Sequence, residues 1–219
     1  PVLTGVHWEV KNGELICVAT DSHRLARRKT VLEQLPEGEY SVVIPGKSLN
    51  ELSKIIGDSS SPVHIVMTQQ QVLFKTEDVL FYSRLLEGNY PDTSRLIPNE
   101  YKTTVTMNGK ALLQAIDRAS LLAREERNNI VRFTSLEGNV VEISSSSPEV
   151  GKVEEEIQAA SIEGEELKIS FSAKYMMDAL KAIEGQDVVV QFTGAMRPFI
   201  LKSVHDDSIL QLILPVRTY

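Results

Sequence analysis

The sequence has 219 residues, of which 42% are hydrophobic and 24% charged, and its formal net charge at pH 7 is −7. This composition excludes a disordered chain, which would be poorer in apolar residues. No apolar run approaches the roughly 18 residues that a transmembrane helix needs. Cys17 is the single cysteine, which excludes an intramolecular disulfide framework. The first residues form no basic, apolar leader, so we expect a cytoplasmic protein.

Short apolar or alternating segments recur along the chain and predict β-strands. They lie at residues 15–19, 41–44, 63–67, 79–86, 140–144, 167–171, 188–192 and 209–214. Turn residues separate these segments, and the pair Asn12-Gly13 is a strong signal for a two-residue hairpin. The pattern is therefore that of strands joined as hairpins.

Three segments have helical spacing instead, at residues 48–57, 109–124 and 172–183. Each places apolar residues at i, i+3, i+4 and i+7, which predicts an amphipathic helix with one buried face. Asn108 and Ser172 precede the second and third segments. Their side chains can accept hydrogen bonds from amides of the first turn, so both are predicted N-caps.

An internal repeat relates residues 42–49 to residues 169–176, because in each a strand leads into an amphipathic helix. Lysines match at a constant offset of 127 residues, Lys47 with Lys174 and Lys54 with Lys181. The second copy is preceded by the helix at 109–124, and we expect the first unit to lack this helix.

The domain boundary is predicted near residues 96–100, where a proline and polar residues separate two patterned runs. The two predicted domains are residues 1–97 and residues 98–219. Acidic residues concentrate between residues 149 and 166 of the second domain. They either protect a strand edge from unwanted pairing or face a basic partner edge.

The three predicted helices carry a net charge of +4, which leaves −11 for the rest of the chain. Basic residues on the outer face of apolar helices suit weak, sequence-independent contact with phosphates. An ordinary solvated face explains any single helix equally well. The candidate phosphate-facing residues are Lys47, Lys54, Lys110, Arg118, Arg124, Lys174 and Lys181.

Standard catalytic patterns are missing from the sequence, so we expect a protein that is not an enzyme. Asp21, Ser22 and His23 are consecutive, and adjacent side chains diverge where a triad needs them to converge. There is no Gly-x-Ser-x-Gly motif and no phosphate-binding loop. The four histidines show no ligand spacing, and one cysteine cannot build a common zinc site, so no metal or cofactor is expected.

Four segments are distinctive when taken together: ATDSHRLA at 19–26, GNYPD at 88–92, SPE at 147–149 and LILPVR at 212–217. In this order they resemble the bacterial sliding clamp family, the beta subunit of DNA polymerase III, over residues 3–219. The resemblance implies an α+β fold of repeated clamp domains, with inner amphipathic helices packed on outer antiparallel β-sheets. It further implies an N-terminally truncated middle domain at 1–97 and a complete last domain at 98–219.

The resemblance also implies the function. In this family two three-domain subunits close into a ring around duplex DNA, with the basic helices facing the phosphates. The ring is a processivity factor that tethers replicative polymerase, clamp loader, repair polymerases and mismatch-repair proteins. We expect no closed ring from this chain alone, because the closing first domain is absent.

A hydrophobic pocket between the middle and last domains takes up short linear motifs in this family. The positions that the resemblance carries over to this pocket are Leu3, Thr20, His23, Arg24, Leu25, Pro91, Arg95, Leu96, Tyr175, Met196, Pro198, Leu212, Leu214, Pro215, Val216 and Arg217. Aliphatic walls suit leucine or phenylalanine anchors, and the arginines offer donors to peptide carbonyl groups or acids. Ser22 stands where some relatives have glycine.

The resemblance assigns a further set of residues to the contact between subunits of the ring. These residues are Leu121, Leu122, Glu149, Glu154 and Glu155. Apolar contacts flanked by acids that face a basic partner edge fit a stable dimer interface. Two alternatives to a clamp stay open: a hydrolase with a new site near Asp21, Ser22 and His23, and a purely structural β-rich scaffold.

Overall fold

The computed structural model of the chain describes residues 1–123, 129–184 and 186–218. The chain forms two units: Pro1–Asp21 with Arg27–Asp92, and Ser22–Ala26 with Thr93–Tyr219. The main division between residues 92 and 93 falls a few residues before the predicted one. The short segment Ser22–Ala26 groups with the second unit although its neighbours in the chain belong to the first.

The described residues form sixteen strands and three α-helices. In the first half of the chain they are β1 (Gly5–Lys11), β2 (Glu14–Thr20), β3 (Arg24–Val31), β4 (Tyr40–Pro45), α1 (Gly46–Ile56), β5 (His64–Met67), β6 (Gln71–Lys75) and β7 (Leu80–Arg84). In the second half they are β8 (Thr103–Asn108), α2 (Gly109–Ala123), β9 (Ile130–Leu136), β10 (Val140–Ser147), β11 (Gly151–Gln158), β12 (Ser161–Gly164), β13 (Lys168–Ser172), α3 (Ala173–Ala182), β14 (Asp187–Phe192), β15 (Phe199–Ser203) and β16 (Ile209–Ile213). Short 3₁₀ turns lie at Val2–Thr4 and Ser94–Leu96.

The first unit is built from strands in the order β3-β2-β1-β4 and a three-stranded sheet β5-β6-β7, with the single helix α1. The predicted hairpin between β1 and β2 is confirmed, because Lys11 pairs with Glu14 across the turn. Asn12 and Gly13 both have positive φ, at 54° and 75°, as a type I′ turn requires. Leu52 of α1 packs into a cluster with Phe74.

The second unit packs α2 and α3 with two antiparallel sheets, β12-β8-β14-β15-β16 and β11-β10-β9-β13. Its core is one large apolar cluster that includes Ile116 of α2, Met176 of α3 and the fully buried Phe133, Phe192 and Phe199. Helices on antiparallel sheets confirm the predicted α+β class.

The predicted N-caps of α2 and α3 are confirmed. The Asn108 side-chain oxygen accepts a hydrogen bond from the Ala111 amide at 2.8 Å. The Ser172 hydroxyl accepts one from the Tyr175 amide at 3.3 Å. Helix α1 begins at Gly46, two residues before the predicted start, and Pro45 is its N-cap residue with φ of −54°.

The predicted repeat is confirmed by the order and pairing of the elements. The series β4-α1-β5-β6-β7 of the first unit recurs as β13-α3-β14-β15-β16 in the second. In the first unit β4 pairs with β1, and in the second β13 pairs with β9. Among the described residues of the first unit, α1 is the one α-helix. None of the described helices combines the length and apolar content that a membrane span requires.

Candidate functional site

A cluster of predicted site residues forms where the segment Ser22–Ala26 meets α3 in the second unit. The Arg24 guanidinium carbon lies 4.3 Å from the centroid of the Tyr175 ring, which is a cation–π contact. Arg24 Nη1 also donates to Asp178 Oδ2 at 2.7 Å. The His23 ring stacks beside Tyr175 with a centroid distance of 6.3 Å. Tyr175 and Asp178 are three residues apart on α3, so one helix face holds Arg24 in place.

The chain segment after β16 runs past this cluster and exposes an apolar side chain beside it. The Leu214 amide donates to the His23 carbonyl oxygen at 3.0 Å. The Leu214 side chain is 38% exposed, whereas Leu212 is 1% exposed and Leu25 is 2% exposed. Two residues on, the Val216 amide donates to the Ser170 carbonyl oxygen at 2.8 Å. Leu214 therefore offers an accessible apolar contact next to an ordered arginine.

The other predicted pocket residues of the second unit lie on loops or chain ends. Met196 and Val216 line one cavity of about 270 Å³. The carbonyl group of Pro198 accepts a hydrogen bond from the Thr193 hydroxyl at 3.4 Å. Arg95, Leu96 and Arg217 are exposed, and Pro215 is half-buried.

Three predicted pocket residues, Leu3, Thr20 and Pro91, belong to the first unit. The Thr20 amide donates to the Tyr90 hydroxyl at 3.1 Å. The Tyr90 ring in turn stacks on His7, with centroids 5.2 Å apart and planes 8° apart. Sequence reasoning missed both His7 and Tyr90 as positioning residues. The available signal was the place of Tyr90 in the GNYPD segment, directly before Pro91.

Burial shifts the ionisation of this aromatic pair. Desolvation raises the pKa of the Tyr90 hydroxyl, opposed by the hydrogen bond from Thr20. Desolvation also lowers the pKa of His7 below its usual 6.5, opposed by nearby Glu9. His7 Nε2 lies 2.8 Å from the Ser41 hydroxyl, so the imidazole shares a hydrogen bond across the sheet.

The lowered pKa of His7 predicts a loss of stability of the first unit in mild acid. A folded-state pKa below 6.5 means that the unfolded chain binds the proton more readily. The contribution of neutral His7 to the free energy of unfolding is therefore complete above pH 6.5. It is lost as the pH falls from 6.5 through the lowered pKa. We expect the urea midpoint of the first unit to depend less on pH in this range in His7→Gln than in wild type. The fluorescence of Trp8 reports the unfolding. His64→Gln, at an exposed position of the same unit, should keep the wild-type slope; an unchanged slope in His7→Gln would contradict the prediction.

The predicted phosphate-facing lysines Lys47, Lys54, Lys110, Lys174 and Lys181 are all exposed. Lys54 forms an exposed ion pair with Glu51 at 3.1 Å. Arg124 lies outside the described residues. The first turn of each helix contains no acidic residue, so no carboxylate within that turn offsets the charge of Lys47, Lys110 or Lys174.

Arg118 is a special case among the basic residues because it is bound to an acid of β11. Its Nε and Nη2 atoms donate to the two carboxylate oxygens of Glu155 at 2.9 and 2.5 Å. This bidentate pair lowers the pKa of Glu155 and raises that of Arg118. The resemblance assigned Arg118 to the DNA-facing surface and Glu155 to the subunit interface, and the two side chains contact each other.

The remaining predicted interface residues lie on α2, on β11 and in the turn before it. Leu121 is 60% exposed and Leu122 is half-buried. Glu149 is exposed. Glu154 forms an ion pair with Lys152 on the same strand.

The segment around Asp21 contains one residue in the left-handed region and one ring that packs on α3. Ser22 has a positive φ of 76°, and the His23 ring stacks on Tyr175. Burial raises the pKa of the Cys17 thiol to about 11, which keeps it protonated at neutral pH. Within the part of the chain that the structure describes, no three His, Cys, Asp or Glu side chains are grouped to hold a metal ion.

The sequence and the fold are both similar to those of known proteins. The beta sliding clamp of Bacillus subtilis (strain 168) is 61% identical over 219 residues, covering 100% of this chain and 58% of the relative. The crystal structure of the DNA polymerase sliding clamp from Bacillus subtilis has a TM-score of 0.96 at 61% identity, with coverage of 100% and 58%. A sliding clamp from Pseudomonas aeruginosa, solved bound to griselimycin, has a TM-score of 0.93 at 27% identity, with coverage of 100% and 58%. The chain thus spans less than two thirds of the length of these relatives.

Two family models together account for nearly the whole chain. Residues 1–92 match the DNA polymerase III beta subunit, central domain. Residues 94–217 match the DNA polymerase III beta subunit, C-terminal domain. The predicted fold of repeated clamp domains is confirmed by these matches and by the superposition. The chain belongs to the DNA polymerase III beta subunit family.

Proposed function

We propose that this chain is part of a processivity factor, a sliding clamp that encircles duplex DNA and tethers replication proteins. Two consecutive domain matches and 61% identity to a clamp over the whole chain support this proposal. The clamp works by binding and topology, with no bond made or broken. Its place of action would be the bacterial cytoplasm.

The observation that carries the proposal is the ordered Arg24 beside the exposed Leu214. The Tyr175 ring and the Asp178 carboxylate hold the Arg24 guanidinium in one position, so less side-chain freedom is lost when a ligand binds. Leu214 supplies apolar surface for a leucine or phenylalanine anchor. The Arg24 donor would meet the polar residue of a short linear motif, and Leu214 would meet its apolar residues. The griselimycin complex of a relative supports ligand uptake by this family.

The DNA contact would be electrostatic and independent of sequence. Exposed lysines on α1, α2 and α3 supply positive charge to a protein whose net charge is −7. Such contacts are weakened by salt, because binding releases counterions from the phosphates. Weak contact suits a ring that must slide, and the acidic remainder disfavours adhesion of DNA elsewhere.

The complete protein would act as a homodimeric ring. Leu121 and Leu122 would lie at the centre of the subunit interface, with Glu149, Glu154 and Glu155 at its margin. The proposed partners, bound through short linear motifs, are replicative polymerase, clamp loader, repair polymerases and mismatch-repair proteins.

Fluorescence anisotropy with a labelled peptide that holds a glutamine, a leucine and a terminal Leu-Phe pair tests the proposal. Association costs consume much of the free energy gained by burying two apolar anchors, so we expect a Kd no tighter than about micromolar. Arg24→Ala should weaken binding about tenfold, since it removes an ordered donor. Arg118→Ala is the matched control, because it removes another acid-paired arginine that lies on α2 and is not one of the predicted pocket residues, and it should leave the Kd unchanged. Absence of binding to the wild-type chain at about millimolar peptide would overturn the peptide-docking part of the proposal.

A further inference from the structure

The second unit contains a cavity of about 270 Å³ that the pocket residues carried over by resemblance only border. Met196 and Val216 form its apolar wall. Arg132, Lys168, Ser170 and Thr218 supply the polar groups of its lining, and none of these four belongs to the carried-over set. The cavity thus pairs an apolar surface with two cationic side chains.

Strand register brings the two cations to the same face of the sheet. Arg132 of β9 lies opposite Ser170 of β13, and Thr134 lies opposite Lys168. Arg132 and Lys168 are therefore diagonal neighbours, about 7–8 Å apart at the backbone. At this spacing two long side chains can converge on a single carboxylate.

Arg132 is held by hydroxyl groups. Its Nη2 donates to the Thr218 hydroxyl at 3.3 Å, and the Thr218 and Ser170 hydroxyls lie 3.1 Å apart. Glu142 lies on the same face, opposite Thr134 on β10. No ion pair joins Glu142, or any other described carboxylate, to Arg132 or Lys168. Among the residues that the structure describes, both cations therefore remain available to an incoming carboxylate.

The cavity is also within reach of a ligand bound at Leu214. Val216 lines the cavity and is two residues from Leu214 along the segment after β16. Two residues of extended chain span about 7 Å. A peptide anchored on Leu214 needs only two or three further residues to place a carboxylate between Arg132 and Lys168.

We infer that Arg132 and Lys168 bind a carboxylate of the docked peptide, so that this site selects motifs with a negative charge beside their apolar anchors. The inference rests on the proposed peptide-binding function and adds the charge of the partner segment to it. The carboxylate is either the peptide terminus or an aspartate that follows the anchors.

Three peptides with the same anchors distinguish these sources: one with a free terminal carboxylate, one with a terminal amide, and one with an aspartate followed by an amide. We expect the first, the third or both to bind wild type about threefold to fivefold more tightly than the amide at low salt. Lys168→Gln, at an exposed position, should reduce this advantage, and the double variant with Arg132→Gln should remove it. Lys152→Gln is the matched control on the same sheet, because Lys152 is paired with Glu154.

The possible outcomes test carboxylate recognition separately from peptide docking. Equal binding of all three peptides to wild type would overturn the inference and leave peptide docking intact. An advantage that persists in the double variant would overturn it too, because the charge would then be recognised elsewhere. Failure of every peptide to bind wild type would instead contradict peptide docking itself.

Discussion

Replacing Leu214 by aspartate is expected to abolish binding of the anchor peptide. The Leu214 side chain is 38% exposed, and its amide is fixed to the His23 carbonyl oxygen. A carboxylate at this position would lie unpaired against apolar anchors, which costs several kcal/mol. The expected loss of affinity is therefore at least about 100-fold in the anisotropy titration. Because the side chain is only partly buried, the free energy of unfolding should fall by about 1–2 kcal/mol, less than for a core leucine.

Lys54→Ala is the control for this change. Lys54 is exposed on α1 and forms an exposed pair with Glu51, which contributes little to stability. The variant should bind the peptide as wild type does and should differ only in weaker DNA contact. Wild-type peptide affinity in Leu214→Asp would place the binding site on another surface.

The largest expected effect on stability is that of Phe192→Ala. Phe192 is fully buried in β14, with its ring centroid 5.3 Å from that of Phe133 and 5.1 Å from that of Phe199. Truncation removes apolar contacts and leaves a cavity that these neighbours cannot fill. The free energy of unfolding of the second unit should fall by about 3–5 kcal/mol. Urea unfolding followed by circular dichroism measures the change.

A matched control lies in the same unit. Leu121→Ala removes an apolar side chain that is 60% exposed, so its effect on stability should stay within about 0.5 kcal/mol. Similar midpoints for Phe192→Ala and Leu121→Ala would show that the phenylalanine cluster does not hold this unit together.

Features set by local chemistry were predictable from the sequence. The helix N-caps Asn108 and Ser172 and the turn at Asn12 depend on residues within a few positions of each other. The amphipathic period located all three helices, and the repeat offset of 127 related α1 to α3. The family resemblance then supplied the arrangement of sheets, which periodicity alone does not determine.

Contacts between distant parts of the chain were not predictable from local patterns. Arg24 and Asp178 are 154 residues apart, and no feature of either segment signals their pairing. Charge counted helix by helix treated Arg118 as available for phosphate, whereas Glu155 of β11 binds it. The cation pair of Arg132 and Lys168 depends on strand register, which is a property of the folded sheet.

The grouping of Ser22–Ala26 with the second unit has a consequence for dissecting the molecule. The chain crosses between units three times, after residues 21, 26 and 92, so a single cut near residue 92 does not yield two independent modules. A fragment of residues 93–219 would lose the His23 carbonyl that holds Leu214 and the Arg24 that pairs with Asp178. The residues before the cut would keep Ser22–Ala26 but would lose Tyr175, Asp178 and Leu214, which contact His23 or Arg24. An intact second unit therefore requires both of its segments on one continuous polypeptide or their reassembly in trans.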